Sequence, residues 1–192
     1  YNILHSEPIN DLSKLSQYYL NEIIKLHSFH KEEVIKLLGW SLGGRIAIDM
    51  AGILEDDGYK NIELYLLDTI IDDETLSAFK RDIDPIEQIE FMKKRYLEEG
   101  YSQEYVEKVI NASDATEILN HTPIKTKLKY TKAILFKAMR ASEGVPDDLN
   151  SYTKRLEKNN IDKALDNIRV IPLDVSHFDI LNALDEIIEV LD

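Results

Sequence analysis

Apolar positions along the chain change period several times, and each change marks an element. Leu12, Leu15, Tyr19, Ile23 and Leu26 recur at helical spacing behind Asn10 or Asp11 as a cap, which predicts a helix to about Ser28. Val34-Ile35-Lys36-Leu37-Leu38 is short, apolar and partly β-branched, as a buried parallel strand should be. Ile46, Ala47, Met50, Ala51 and Leu54 return to helical spacing, predicting a helix from Arg45 to Asp57 stopped by Gly58. Ile62 to Leu67 is the next strand, ending at Asp68. From Asp72 to about Lys129 the pattern is helical and charged, with no clear strand. Asp84-Pro85 starts a helix, Ser102 caps another after Gly100, and Asp114 opens a third that ends near Thr122-Pro123. Lys132 to Ala138 reads as a strand, Leu149 to Asn159 as a helix, Ile168 to Ile171 as the last strand, and Asp179 to Leu191 as a closing helix. Strand–helix alternation implies a mostly parallel sheet with right-handed crossovers, flanked by helices. The fold class is therefore α/β: residues 1–71 and 130–192 form the core, and 72–129 form an inserted helical module. Charged helices of this kind are often simply solvated. This insertion follows the strand that ends in Asp68, so it is equally placed to act as a lid.

Composition narrows the field. The 192 residues are 44% hydrophobic and 31% charged, which suits one globular domain with an insertion. Cysteine is absent, excluding disulfides and thiolate metal sites. No run of eighteen apolar residues and no signal peptide appears, so the expected setting is soluble and cytoplasmic. The net charge of −13 argues against nucleic-acid or anionic-membrane partners.

The chemistry centres on Gly39-Trp40-Ser41-Leu42-Gly43-Gly44. The chain has seven glycines and sets three of them around one serine. A strand that reverses at once into a helix leaves no room for Cβ atoms at its shoulders, and glycine removes that clash. In Gly-x-Ser-x-Gly between a strand and a helix, the serine is held strained and exposed at the top of the sheet. A serine hydroxyl needs a neighbouring base, and the base needs an orienting carboxylate. Functional groups gather at the carboxyl ends of strands in open α/β sheets. Ser41, Asp68 and His177 each follow a predicted strand, in the chain order expected of an α/β-hydrolase. Asp68 has rivals in Asp72, Asp73, Asp147 and above all Glu143, which follows the Lys132 strand. His5, His27 and His30 precede the serine, and His121 lies in the insertion, so His177 stands alone where the base belongs. The backbone N–H of Leu42 is one expected oxyanion donor.

Leu38-Gly39-Trp40-Ser41-Leu42-Gly43-Gly44, Ala47, Ala51 and Leu54, Leu66-Leu67-Asp68 and Ser176-His177 together resemble the thioesterase domain that terminates nonribosomal peptide synthetases. The resemblance spans most of the chain, but it is weak in the insertion, and many relatives carry glycine where Ser176 stands. It implies an α/β-hydrolase fold with a helical lid, and it favours Asp68 over Glu143 as the acid. It also implies that no cofactor is bound: the substrate arrives on the phosphopantetheine arm of a carrier domain in the same parent chain. The acyl group passes to Ser41 and leaves by hydrolysis or macrocyclisation. Tyr1-Asn2-Ile3-Leu4-His5 reads as the middle of a fold, and the resemblance places the family's first core strand and second oxyanion donor before Tyr1. A chain lacking that strand would have a displaced Tyr1 strand or would pair with a second copy through exposed edges. A stand-alone thioesterase or small serine esterase would use the same triad. An inactive interaction module that keeps only the sheet is the non-enzymatic rival.

Overall fold

Four strands among the described residues lie side by side in chain order: β1 (Ile35–Trp40), β2 (Ile62–Leu67), β3 (Lys132–Ala138) and β4 (Ile168–Leu173). Each neighbouring pair is parallel. The computed structural model of the protein describes residues 9–81 and 85–191; the strand expected at Tyr1 to His5 and the helix-start residue Asp84 lie outside them. Helices α1 (Leu12–Leu26) and α2 (Leu42–Asp56) flank β1 in sequence. Between β2 and β3 come α3 (Glu74–Arg81), α4 (Pro85–Glu98), α5 (Gln103–Asn111) and α6 (Ser113–His121). α7 (Asp147–Arg155) lies between β3 and β4, and α8 (Leu184–Leu191) follows β4.

Side chains alternate across a strand, so each strand feeds two layers. Leu64, Leu66, Ala133 and Leu135 pack with Leu20, Ile48, Ala51 and Leu54 on the α1–α2 face. Tyr65, Leu67 and Phe136 pack with Ile180, Ala183 and Ile187 on the opposite face, under α8. The result is the helix–sheet–helix sandwich that the alternation of elements implies.

Local chemistry sets the element ends. Asp11 caps α1 by accepting from the Lys14 N–H at 2.9 Å, and Ser102 caps α5 by accepting from Tyr105 N–H at 3.2 Å. β1 runs two residues beyond the expected Leu38, because Gly39 and Trp40 still pair with Leu66 and Leu67. α2 opens at Leu42, three residues earlier than the apolar spacing suggested, and the reversal is complete at Ser41. α7 covers Asp147–Arg155 rather than Leu149 to Asn159. The expected closing helix is split into a 3-10 turn, Ile180–Ala183, and α8.

Candidate active site

The register brings the ends of the strands level. Trp40 is opposite Leu67, and Leu67 is opposite Phe136. The ladder then continues one step: Ser41 N–H donates to Leu67 O at 3.0 Å and Asp68 N–H to Phe136 O at 2.8 Å. Ser41 and Asp68 thus leave adjacent strands at one edge of the sheet. Ser41 sits at φ 51°, ψ −117°, a conformation that L-residues rarely adopt. It is the apex between β1 and α2. A Cβ on Gly39 would lie 2.3 Å from the carbonyl carbon and oxygen of Gly43, and one on Gly44 would lie 1.8 Å from Thr69 Oγ1. Those two glycines let strand and helix approach. Gly43 has nothing within 4 Å of its Cβ position among the described residues, so the motif's own second glycine is not needed there for packing.

Asp68 also has positive φ, at 42°. Its Oδ2 lies 2.8 Å from His177 Nδ1. Its Oδ1 accepts from Ala138 N–H at 3.2 Å and from Asn159 Nδ2 at 3.1 Å. The carboxylate is therefore held at both oxygens. His177 reaches it from the loop after β4, whose backbone extends the β3 ladder through Arg140 N–H to Val175 O at 2.9 Å. His177 N–H donates to Ser142 Oγ at 3.3 Å, and Ser142 is itself fixed by Asn150. Ser176 closes the turn by donating its hydroxyl to Asp179 Oδ2 at 2.5 Å. The imidazole lies against the Trp40 ring, with centroids 5.6 Å apart.

Ser41, Leu42, Arg45, Asp72 and His177 line one cavity of about 250 Å³. A second cavity of about 150 Å³ contains Asp68 and Phe178 and shares Ile70, Val145, Leu149 and His177 with the first. Leu42 opens α2, and the leading amides of a helix have no carbonyl one turn back. The helix dipole adds partial positive charge at the same place.

The other described candidates are engaged elsewhere or exposed. Glu143 is exposed, and it is Asp68 that reaches His177. Asp73 caps α3 by accepting from Leu76 N–H and also accepts from Tyr152 and Asn160; burial raises its pKa, but these bonds outweigh that and hold it below the usual carboxylate value. Asp72 lies 3.1 Å from His121 Nδ1, whose Nε2 is 2.6 Å from Glu117. Asp147 is exposed in the first turn of α7. His27 faces Glu33 at 3.3 Å, and His30 is exposed. His5 lies outside the described residues.

Three residues that sequence reasoning passed over bear on the site. Arg45, one turn beyond Ser41, is 3% exposed. It donates to Ile70 O at 3.2 Å and to Thr122 O, the carbonyls at which the inserted helices depart and return. Burial lowers its pKa, and nearby Asp72 opposes the shift. Lys137 in β3 is buried and donates to Thr153 O at 3.2 Å, Lys154 O at 3.1 Å and Leu156 O, carbonyls at and just beyond the end of α7. Burial lowers its pKa, with Asp68 and Glu157 opposing. Asn159 reaches Asp68 from the loop beyond. Only the doubled asparagine in Lys158-Asn159-Asn160-Ile161 signalled it, since asparagine tolerates left-handed backbone.

A model of the thioesterase domain family matches residues 1–192. No curated protein matches the chain. Among solved structures, the chain is similar to the NocB thioesterase domain from the nocardicin cluster, in covalent complex with a fluorophosphonate nocardicin G analog. Identity is 18%, the TM-score is 0.68, and 98% of this chain and 78% of that one are covered. The Vlm2 thioesterase domain, bound with a dodecadepsipeptide, gives 18% identity, TM-score 0.65 and coverage of 98% and 79%. YbtT, a type II thioesterase from the yersiniabactin NRPS/PKS pathway, gives 17%, 0.55 and coverage of 97% and 75%. At this identity the likeness is one of fold, and that fold is the α/β-hydrolase.

Proposed function

Because the chain belongs to the thioesterase domain family, we propose that it releases an acyl or peptidyl chain from the phosphopantetheine arm of a carrier domain, with Ser41 as nucleophile, His177 as base and Asp68 as orienting acid. The observation that carries this reading is the 2.8 Å contact of His177 Nδ1 with Asp68 Oδ2, made by a histidine that lines one cavity with Ser41. A proton on Nδ1, donated to Asp68, leaves Nε2 free to take the Ser41 proton. Oγ then attacks the thioester carbonyl carbon, and the oxyanion forms at the start of α2, near Leu42 N–H. The C–S bond breaks, and the leaving thiolate takes the proton from His177. An acyl group remains on Ser41 as an ester. Water, deprotonated by His177, releases an acid; an internal amine or hydroxyl of the acyl chain releases a ring instead.

We read residues 72–129 as a lid over this site. In support, α6 sends Glu117 and Asn120 into the Ser41 cavity, and Leu119 packs with Leu12, Leu15 and Leu42. On the other flank, the Arg95 guanidinium of α4 lies 4.4 Å from the Phe178 ring centroid. The likeness to YbtT favours a second arrangement, a separate thioesterase acting on carriers in trans with the same triad.

Incubation with an acyl-phosphopantetheinyl carrier domain, an acyl-thioester mimic and a simple ester, beside a Ser41→Ala control, tests the reading. Carrier turnover that disappears in Ser41→Ala is expected. Turnover of the simple ester alone would make the protein an esterase. A fluorophosphonate that never labels Ser41 would defeat the serine mechanism.

A further inference from the structure

The mechanism uses Asp68 but does not explain what keeps its carboxylate plane fixed while His177 changes charge. We infer that Asn159 is a positioning residue for the Asp68–His177 pair, a role that rests on the reading of that pair as orienting acid and base. Asn159 is 3% exposed and sits at φ 50°. Its Nδ2 donates to Asp68 Oδ1 at 3.1 Å and to Thr69 O at 3.1 Å. Its backbone carbonyl accepts from Ile71 N–H at 3.0 Å. Asn159 thus touches three of the four residues that leave β2, from 91 positions beyond Asp68 in the chain.

The orientation of the amide follows from its surroundings. Both neighbours of Nδ2 are oxygens that can only accept, so turning the amide over would set its own oxygen against a carboxylate and a carbonyl. In the orientation described, Oδ1 is buried with no hydrogen-bond partner among the described residues. A buried acceptor left unpaired has a cost, and here it accompanies two bonds made by the other end of the same group. Asp68 Oδ1 receives Ala138 N–H from one side and Asn159 from the other, which blocks rotation about the carboxylate bond and leaves Oδ2 aimed at His177. Asn160 provides a built-in comparison. It also has positive φ, at 59°, but its amide goes to Ile71 O at 2.9 Å and Asp73 Oδ2 at 3.1 Å, and those bonds hold the loop without touching Asp68.

Asn159→Gly keeps the left-handed backbone and removes only the side-chain donor. The test is proton NMR of the ¹⁵N-labelled chain, following the Nδ1 proton of His177 identified by its loss in His177→Gln, together with the rate of fluorophosphonate labelling of Ser41. In Asn159→Gly the resonance is expected to move upfield or broaden through exchange, and labelling to slow about tenfold to a hundredfold, the usual cost of removing a group that orients a reactive one. Asn159→Asp keeps the shape but turns an acceptor toward Asp68, and it should slow labelling further than the glycine variant. Asn160→Gly should lower the melting temperature and leave the resonance in place. An unchanged resonance in folded Asn159→Gly overturns the proposal, and so does an equal shift in Asn160→Gly. The NMR arm reads the Asp68–His177 contact alone, so it decides Asn159 whether or not Ser41 proves to be a nucleophile.

Discussion

Replacing Gly39 by alanine should damage the site more than the fold. The added Cβ would sit 2.3 Å from Gly43 C and O and 2.5 Å from Gly44 N. All three are backbone atoms of the first turn of α2, so no side chain can swing aside. Reaching the 3.4 Å at which ordinary contact begins requires β1 and α2 to part by roughly 1 Å. Overpacking of this kind costs about 1–3 kcal/mol. For a chain of this length that lowers the melting temperature by about 2–12 °C. Ser41 rides on the turn that moves, and a 1 Å misplacement of a reacting group costs about a hundredfold in rate. Fluorophosphonate labelling should therefore slow by about that factor in a protein that still melts cooperatively. Gly43→Ala is the matched control, because its Cβ would meet nothing within 4 Å among the described residues. There a glycine is removed from a helix, worth up to about 1 kcal/mol in stability. Wild-type labelling in Gly39→Ala, or equal damage from both substitutions, would refute the steric account of the turn.

Further outcomes follow from the same contacts. Asp68→Asn keeps the shape of the acid but offers His177 Nδ1 no anion, and the labelling rate should fall by about ten-thousandfold, as for the equivalent change in a serine protease triad; a loss below tenfold would return Glu143 to contention. Arg45→Met leaves the carbonyls of Ile70 and Thr122 without their donor, about 1–3 kcal/mol per unpaired group, so amides of α6 should exchange faster with solvent while β2 and β3 stay protected; uniform protection would mean that Arg45 does not tether the insertion. The Glu55 carboxylate accepts the N–H groups of Lys129, Tyr130 and Thr131 and the Thr131 hydroxyl; burial raises its pKa, but these bonds outweigh that and lower it. Its stabilisation is fully present above about pH 4.3, the ordinary glutamate value, and is lost as pH falls through the lower folded value, so Glu55→Gln should lower the melting temperature near neutrality and lose that effect in acid.

The core and the turn at Ser41 were legible because each rests on a local constraint. A strand covered on both faces must be nearly all apolar, as Ile62 to Leu67 is. A reversal within one residue must have glycine at the crowded shoulder, as at Gly39. The ends of elements were less legible where a distant side chain decides them. β1 outlasts its apolar run because Gly39 and Trp40 have partners on β2 that no pattern within β1 displays. Three helices of the insertion were readable from their starts at Pro85, Ser102 and Asp114, but α3 was not, and neither was the anchoring of the insertion's ends by Arg45 from α2.

α7 shows how such a distant contact reaches the site. Apolar spacing carried this helix to Asn159, yet it ends at Arg155. The ammonium of Lys137, buried in β3, takes the carbonyls of Thr153, Lys154 and Leu156. A cation is favoured at a helix C-terminus, where it adds donors beside the one that Leu156 N–H already gives Thr153 O at 3.2 Å. With the helix stopped, Leu156 is extended, and Asn159 and Asn160 take positive φ. In that conformation Asn159 reaches Asp68. The lysine sits one residue before Ala138, whose N–H is the other donor to Asp68 Oδ1. One edge of β3 thus sets both bonds that fix the carboxylate, Ala138 directly and Lys137 by ending α7 where it does. A substitution at Lys137 that keeps the strand but frees those carbonyls should therefore be felt at His177, through Asn159 and Asp68, before it is felt in the sheet.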